Sequence, residues 1–360
     1  MSFKDSLRRF APLSSRGAKK RFDRLEKRLE TLQSAANEKT ASKVRDTLNL
    51  QAEAIAKLER QNIETQSALR DIRKNLGSLD WKSRRKITVE NAALLERHAI
   101  EFMDVRLVDH CNLNCVGCNA YSPLAPESYL AVEDFENDLQ RLHDLIGDRL
   151  LRLNLMGGEP LLHPNAEQFA IVARKIFSEA RINYTTNGLK VFDMPDSFWG
   201  AMRENDIELK YTKYPIKFDY QAMEEYVASK GVTVFYIGGD EPLTSFRKLP
   251  LDPRGFLNTS QMYVQCPYID CVQLRNGRLY RCPPCAMSDL LNDALEAQGY
   301  NQQFRLTSND YLTLDEATSK EEVFDFLSRP IPFCQYCNLN KESFIDWRPS
   351  KRDIREWVDL

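Results

Sequence analysis

Three cysteines within eight residues mark the chemistry of this chain. In "DHCNLNCVGCNAYSPLAP" (109–126), Cys111, Cys115 and Cys118 follow the pattern Cys-x3-Cys-x2-Cys, with no histidine among them. Closely spaced thiolates bind zinc or iron–sulfur clusters. A structural zinc site closes four positions, usually with pairs of ligands from two knuckles. Three thiols on one loop leave a corner open, which suits a [4Fe–4S] cluster with one iron free for an outside ligand. Zinc closed by a fourth ligand stays the alternative, because six further cysteines lie beyond residue 240.

The loop needs a scaffold, and residues 102–240 supply the signs of one. Short apolar runs alternate with amphipathic stretches: "FMDVRLV" with "VEDFENDLQRLHDLIG", "LLRLNLM" with "NAEQFAIVARKIFSEA", and "RINYTT" with "PDSFWGAMREN". "IELKYT" with "YQAMEEYVASKG" and a final "VTVFYIG" complete the series. Strand and helix alternating in this way predict an α/β fold built on a parallel sheet. Such sheets carry functional residues in the loops after the carboxyl ends of their strands. The cysteine loop follows the first strand, "GGEP" (157–160) the second and "TNG" (186–188) the third.

"CNLNCVGC", "MGGEP" and "TTNG", in that order and at those strand ends, resemble the radical S-adenosylmethionine (radical SAM) superfamily over about residues 102–240. The resemblance implies a partial (β/α)6 barrel in which Cys111, Cys115 and Cys118 hold three irons of a [4Fe–4S] cluster. S-adenosylmethionine then chelates the fourth iron and is cleaved reductively to methionine and a 5′-deoxyadenosyl radical, which takes hydrogen from a substrate. Gly157 and Gly158 would let the backbone approach the ligand closely. Glu159 would offer its carboxylate to the methionine ammonium, and Pro160 would fix the exit of the turn. Thr186, Asn187 and Thr212 would meet the ribose or carboxylate, although a plain turn explains Thr186-Asn187-Gly188 equally well. The family often has an aromatic residue just before the third cysteine, packed on the adenine; this chain has Gly117 there, with Tyr121 as a candidate replacement.

Past residue 240 the alternation gives way to Pro, Cys and aromatic residues, so residues 241–360 are expected to form a separate, metal-stapled region. From Cys266 ten residues lead to Gly277 and four more to Cys282, and Cys334-x2-Cys337 follows. This resembles the Twitch form of the SPASM auxiliary-cluster domain and implies a second [4Fe–4S] cluster on Cys266, Cys282, Cys334 and Cys337. A zinc site with four cysteine ligands is the rival. "VQLRNGRLYRC" reads as a hairpin, because Asn276-Gly277 is a strong two-residue turn signal. Cys271 and Cys285 remain over; each is either a small buried hydrophobe or a hydrogen-atom donor to a substrate radical. Cys285, in "CPPC", is also able to exchange ligand duty with Cys282.

Four segments follow: a basic tail (1–20), a helical arm (21–80), the barrel (81–240) and the auxiliary domain (241–360). Residues 18–76 contain neither Gly nor Pro. Phe22, Leu25, Leu29 and Leu32, then Val44, Leu48, Ile55 and Leu58, keep heptad-like spacing with a phase break near "ANEKTAS". A coiled coil or helical hairpin is expected, with residues 21–76 able to pair a homodimer; the alternative is an arm folded back on its own domain.

The chain of 360 residues has room for about two domains. Its charges nearly cancel, 50 Lys and Arg against 52 Asp and Glu, which gives no case for a nucleic-acid partner. No run of 18 apolar residues crosses a membrane, and the N-terminus lacks a secretory h-region. A cytoplasmic setting follows, where nine cysteines read as ligands or catalytic thiols before disulfides. The domain plan implies an enzyme acting on a small polar substrate such as a sugar or cyclitol, rather than a peptide, because nothing before the core resembles a peptide-binding wing. Oxidation by dehydrogenation is the favoured reaction, with a flavodoxin- or ferredoxin-like electron donor. Modification of a ribosomal peptide, redox-neutral epimerisation, and a non-enzymatic iron–sulfur scaffold are the alternatives.

Overall fold

Strands form here where apolar and polar residues alternate, and helices where apolar residues step by three and four. The computed structural model describes residues 98–236 and 242–360, with eight helical residues before them (Asp23, Arg24, Leu25, Lys27, Arg28, Thr47, Asn49 and Gln51). The chain divides into two units, Met1–Lys82 and Ser83–Leu360. The basic tail, and the arm with its heptads and pairing apart from those eight residues, lie outside the described residues. Every element named below belongs to the second unit.

The expected alternation is present as β1 (Met103–Val108), α1 (Val132–Ile146), β2 (Arg152–Gly157), α2 (Ala166–Ile176), β3 (Arg181–Thr186), α3 (Asp196–Glu204), β4 (Ile207–Tyr211), α4 (Tyr220–Ser229) and β5 (Val234–Tyr236). Then come β6 (Ser245–Lys248), α5 (Thr259–Val264), β7 (Val272–Arg275), β8 (Arg278–Tyr280), α6 (Pro283–Ala286), α7 (Ser288–Ala297), β9 (Tyr311–Thr313), α8 (Lys320–Ser328) and β10 (Ser343–Asp346). Eight strands make one sheet in the order β5-β4-β3-β2-β1-β7-β8-β9, and β10 pairs with β6 in a separate antiparallel ladder. Among the described residues no helix is long and apolar enough to cross a membrane.

The α/β class with a parallel sheet agrees with the sequence, but the sixth parallel strand does not follow β5 around the sheet. It is β7, which enters beside β1 on the opposite flank, Met103 facing Val272 and Val105 facing Leu274. Residues 241–360 therefore do not stand apart from the sheet. The hairpin foreseen at Asn276-Gly277 carries them into it, with φ of 52° and 70° at the two turn residues. The Gly277 amide donates to Asp138 Oδ2 of α1 at 2.9 Å, which pins the turn to the barrel helix. Such long-range pairing leaves no mark in local periodicity.

One face of the sheet is apolar. Met103, Val105, Leu107, Leu153, Leu155, Ile182, Tyr184 and Leu209 are buried with Phe135 and Leu139 of α1, Phe169 of α2 and Trp199 of α3. Alternate residues put the opposite character on the other face. There Asn154 Nδ2 donates to Asp104 Oδ1 (2.6 Å) and Gln273 Nε2 to Asp104 Oδ2 (2.8 Å), with Asn183 in register beyond Asn154. Burial pushes the Asp104 carboxyl up, against the pull of Asn154, Gln273, Lys210 and Arg106. β4 is not a neighbour of β1 in the sheet, so the influence of Lys210 on Asp104 reaches across the inner face.

Candidate metal and cofactor site

The three loops foreseen at the carboxyl ends of β1, β2 and β3 meet at one mouth, and their backbones decide how closely. Gly158 N donates to Val108 O (2.9 Å) and Glu159 N to His110 O (3.1 Å), so the second loop lies directly on the first. A Cβ on Gly157 would stand 2.1 Å from Val108 O, and one on Gly158 would stand 1.8 Å from His110 O. Both glycines are thus required for loop-on-loop packing, where the sequence suggested approach to a ligand.

Glu159 is fully enclosed, at 0 % exposure. Its Oε1 accepts from Leu161 N (3.1 Å) and from the Thr186 hydroxyl (2.6 Å), and its Oε2 accepts from Asn187 N (2.8 Å). Burial pushes the carboxyl up to about 7 against these three donors. In this structure the carboxylate fastens the third loop to the second and caps the short 3-10 turn Pro160–Leu162, with Pro160 at its start. The sequence assigned it to a ligand ammonium instead. Thr186 and Asn187 serve the turn as well: Thr186 Oγ1 accepts from Gly188 N (3.0 Å) and Asn187 Oδ1 from Leu189 N (2.9 Å). Thr212, just past β4, joins them by donating its amide to Thr186 O (3.2 Å).

N–H groups point at the sulfurs of the first loop. Cys111 Sγ accepts from Leu113 N (3.3 Å) and lies 3.6 Å from Asn187 Nδ2, which also donates to Asn112 Oδ1 (2.7 Å). Cys115 Sγ accepts from Trp347 Nε1 at 3.1 Å, and Trp357 Nε1 donates to Cys118 O at 2.9 Å. Burial pushes the Cys111 and Cys115 thiols up to about 12, while the Trp347 N–H pulls Cys115 the other way. His110, next to the first cysteine, turns aside: its Nδ1 accepts from Ser128 N (3.3 Å) and its ring meets Tyr129 edge-on.

A second group gathers Cys266, Cys282, Cys334 and Cys337. Burial raises all four thiols, and neighbouring thiols of the set add to this for Cys266, Cys282 and Cys337. Cys266 Sγ accepts from Tyr268 N (3.3 Å). The buried Arg281, donating to Ile269 O (2.9 Å), pulls Cys266, Cys282 and Cys334 down. Partly to fully buried thiols with amide donors and a guanidinium within electrostatic reach form a donor set suited to an anionic iron–sulfur cluster. Among the described residues no three His, Cys, Asp or Glu side chains stand close enough to enclose one metal ion.

The two remaining cysteines part ways. Cys285 is at 0 % exposure and its thiol donates to Asp310 O (3.4 Å), the setting of a small buried hydrophobe. Cys271 is half-buried, within the electrostatic reach of Asp104 and Lys210 on the inner face of the sheet.

Residues 105–207 match the family described as the Radical SAM superfamily. That match runs from β1 to the start of β4. Members of that superfamily use a [4Fe–4S] cluster and S-adenosylmethionine. A GTP 3′,8-cyclase of Microcystis aeruginosa is 26% identical over 115 residues, covering 31% of this chain and 34% of the relative. The chain thus spans about a third of that curated relative. Among solved structures, BtrN in complex with AdoMet and 2-DOIA is 15% identical with a TM-score of 0.41, over 68% of this chain and 94% of the other. SuiB of Streptococcus suis bound to precursor peptide SuiA is 14% identical with a TM-score of 0.33, over 47% and 36%.

Several residues of the site carry no sequence motif. Trp347, Trp357, Arg281 and Asn112 are recognisable only through the atoms they touch. Gly117 also gains a reason: its φ is +59°, and a Cβ there would stand 2.8 Å from Ile345 Cδ1. Ile345 of β10 fills the space beside this position, and the positive φ strains any side chain placed there.

Proposed function

We propose that the protein is a radical SAM enzyme with two [4Fe–4S] clusters that takes a hydrogen atom from a small polar substrate and oxidises it as a dehydrogenase. Cys111, Cys115 and Cys118 hold the first cluster; Cys266, Cys282, Cys334 and Cys337 hold the auxiliary one. The observation that carries this reading is the half-buried cysteine loop with N–H donors on Cys111 and Cys115, tied to "GGEP" by backbone bonds and to "TNG" through the Asn187 side chain. When bound, the first cluster and S-adenosylmethionine supply the electron and the 5′-deoxyadenosyl radical. The chain's own residues hold the mouth together and keep it dry: Glu159 braces Thr186 and Asn187, and Asn187 reaches back to Cys111 and Asn112.

The polar inner face supports a substrate rich in hydroxyl or amino groups. Asn154 Oδ1 and Asn183 Oδ1 are buried without a hydrogen-bond partner, beside Asp104. Unpaired buried acceptors are costly and ask for donors. A flavodoxin- or ferredoxin-like protein delivers the reducing electron. Redox-neutral epimerisation is the second reading, favoured by the half-buried Cys271 beside Asp104 and Lys210. The test is anaerobic reconstitution with iron and sulfide, followed by S-adenosylmethionine, reductant and a panel of deuterated aminocyclitols, sugars and short peptides. Deuterium transfer into 5′-deoxyadenosine from a cyclitol or sugar, with an oxidised product, is the expected result. Transfer from a peptide, or an inverted carbon with no oxidation, would replace the dehydrogenase reading.

A further inference from the structure

The C-terminal segment after β10 closes over the cysteine loop. Val116 N donates to Arg348 O (2.9 Å), Ser350 N to Asn114 O (2.9 Å), and Asn114 Nδ2 to Ser350 O (2.8 Å). Trp347 N is itself tied to Thr244 O at 2.8 Å, beside β6. These bonds hold the segment without the indole ring, which leaves the ring free for another task. Its Nε1–H reaches Cys115 Sγ at 3.1 Å, and its ring centroid lies 6.4 Å from that of Tyr214, which stacks on Phe246.

We propose that Trp347 is a positioning residue that sets the reduction potential of the first cluster through its N–H···S bond to Cys115. The inference rests on Cys115 being a ligand of that cluster. A hydrogen bond to a ligand sulfur favours the more negative, reduced form and raises the potential. It also joins the two halves of the chemistry, because the residue comes from the segment that follows the auxiliary cysteines Cys334 and Cys337 in the chain.

The measurement is an anaerobic redox titration of the reconstituted full chain, followed by the EPR signal that changes when S-adenosylmethionine is added. Trp347→Phe removes the donor. A second variant carries β-(3-benzothienyl)alanine in place of Trp347, which keeps the ring shape and loses only the N–H, and so decides the matter if the smaller side chain loosens the loop. Ile345→Ala disturbs packing at Gly117 and keeps the bond. With iron content unchanged, both Trp347 variants are expected to show about a tenfold smaller ratio of reduced to oxidised cluster at a fixed potential, or about 59 mV for one electron; Ile345→Ala stays at the wild-type midpoint. A responsive wild-type signal whose midpoint stays put in the benzothienyl variant overturns this inference alone. A wild-type signal that ignores S-adenosylmethionine overturns the reading of the cysteine loop, and this inference with it.

Discussion

Replacing Gly158 by alanine should unseat the mouth of the site. The added Cβ would stand 1.8 Å from His110 O, 2.3 Å from His110 C and 2.8 Å from Asp109 O, all backbone atoms that cannot rotate away. Ordinary contact begins at 3.4 Å, so the two loops must part by roughly 1.6 Å (3.4 − 1.8). That movement breaks the bonds from Gly158 N to Val108 O and from Glu159 N to His110 O. Overpacking of this kind costs about 1–3 kcal/mol, and two hydrogen bonds add about 1 kcal/mol each. The sum is about 3–5 kcal/mol, or a fall in melting temperature of roughly 10 °C for a unit of this size. Differential scanning calorimetry of the metal-free chain measures it, and iron uptake on reconstitution should fall with it. Gly200→Ala is the control: the nearest atom to its Cβ is Glu204 Oε1 at 4.0 Å, and helix α3 should gain about 0.5–1 kcal/mol. A Gly158→Ala protein melting within 2 °C of wild type would refute the loop-on-loop docking.

The Glu159 carboxyl, raised from 4.5 to about 7 by burial, makes the metal-free chain pH-sensitive. Its contribution to stability is full below about 4.5 and lost as pH rises through about 7, a change of about 3 kcal/mol. Glu159→Gln should flatten that part of the denaturation profile; an unchanged slope would assign it to another group. Cys282→Ala should cost the auxiliary cluster, taking iron from about eight atoms to about four, whereas Cys285→Ala should keep about eight. Iron loss from the Cys285 variant instead would move the ligand role to that thiol.

The strands and helices from Met103 to Tyr236 were legible because each announces itself locally, by alternation or by a step of three to four residues. So were the three loops, since Cys111, Gly157 and Thr186 each lie within a few residues of the strand that presents them. What local pattern did not carry is everything that crosses the chain. Gly117 is a glycine because Ile345, far along the sequence, packs against it. β7 pairs with β1, Met103 facing Val272, across some 170 residues of chain that no local periodicity spans, although the turn that follows it was foreseen. Glu159 reads as a ligand from its motif; that its oxygens also accept from Leu161, Thr186 and Asn187 becomes visible only once the loops are folded together. Cys271 and Cys285 look alike in sequence and separate only by burial.

The most direct test of the account is iron content and 5′-deoxyadenosine formation, measured together in the wild-type chain and in Cys111→Ala after anaerobic reconstitution. The account predicts about eight irons and turnover for the wild type, and about four irons with no 5′-deoxyadenosine for the variant. Bound zinc in place of iron, or a wild-type chain that leaves S-adenosylmethionine intact under reducing conditions, would contradict it.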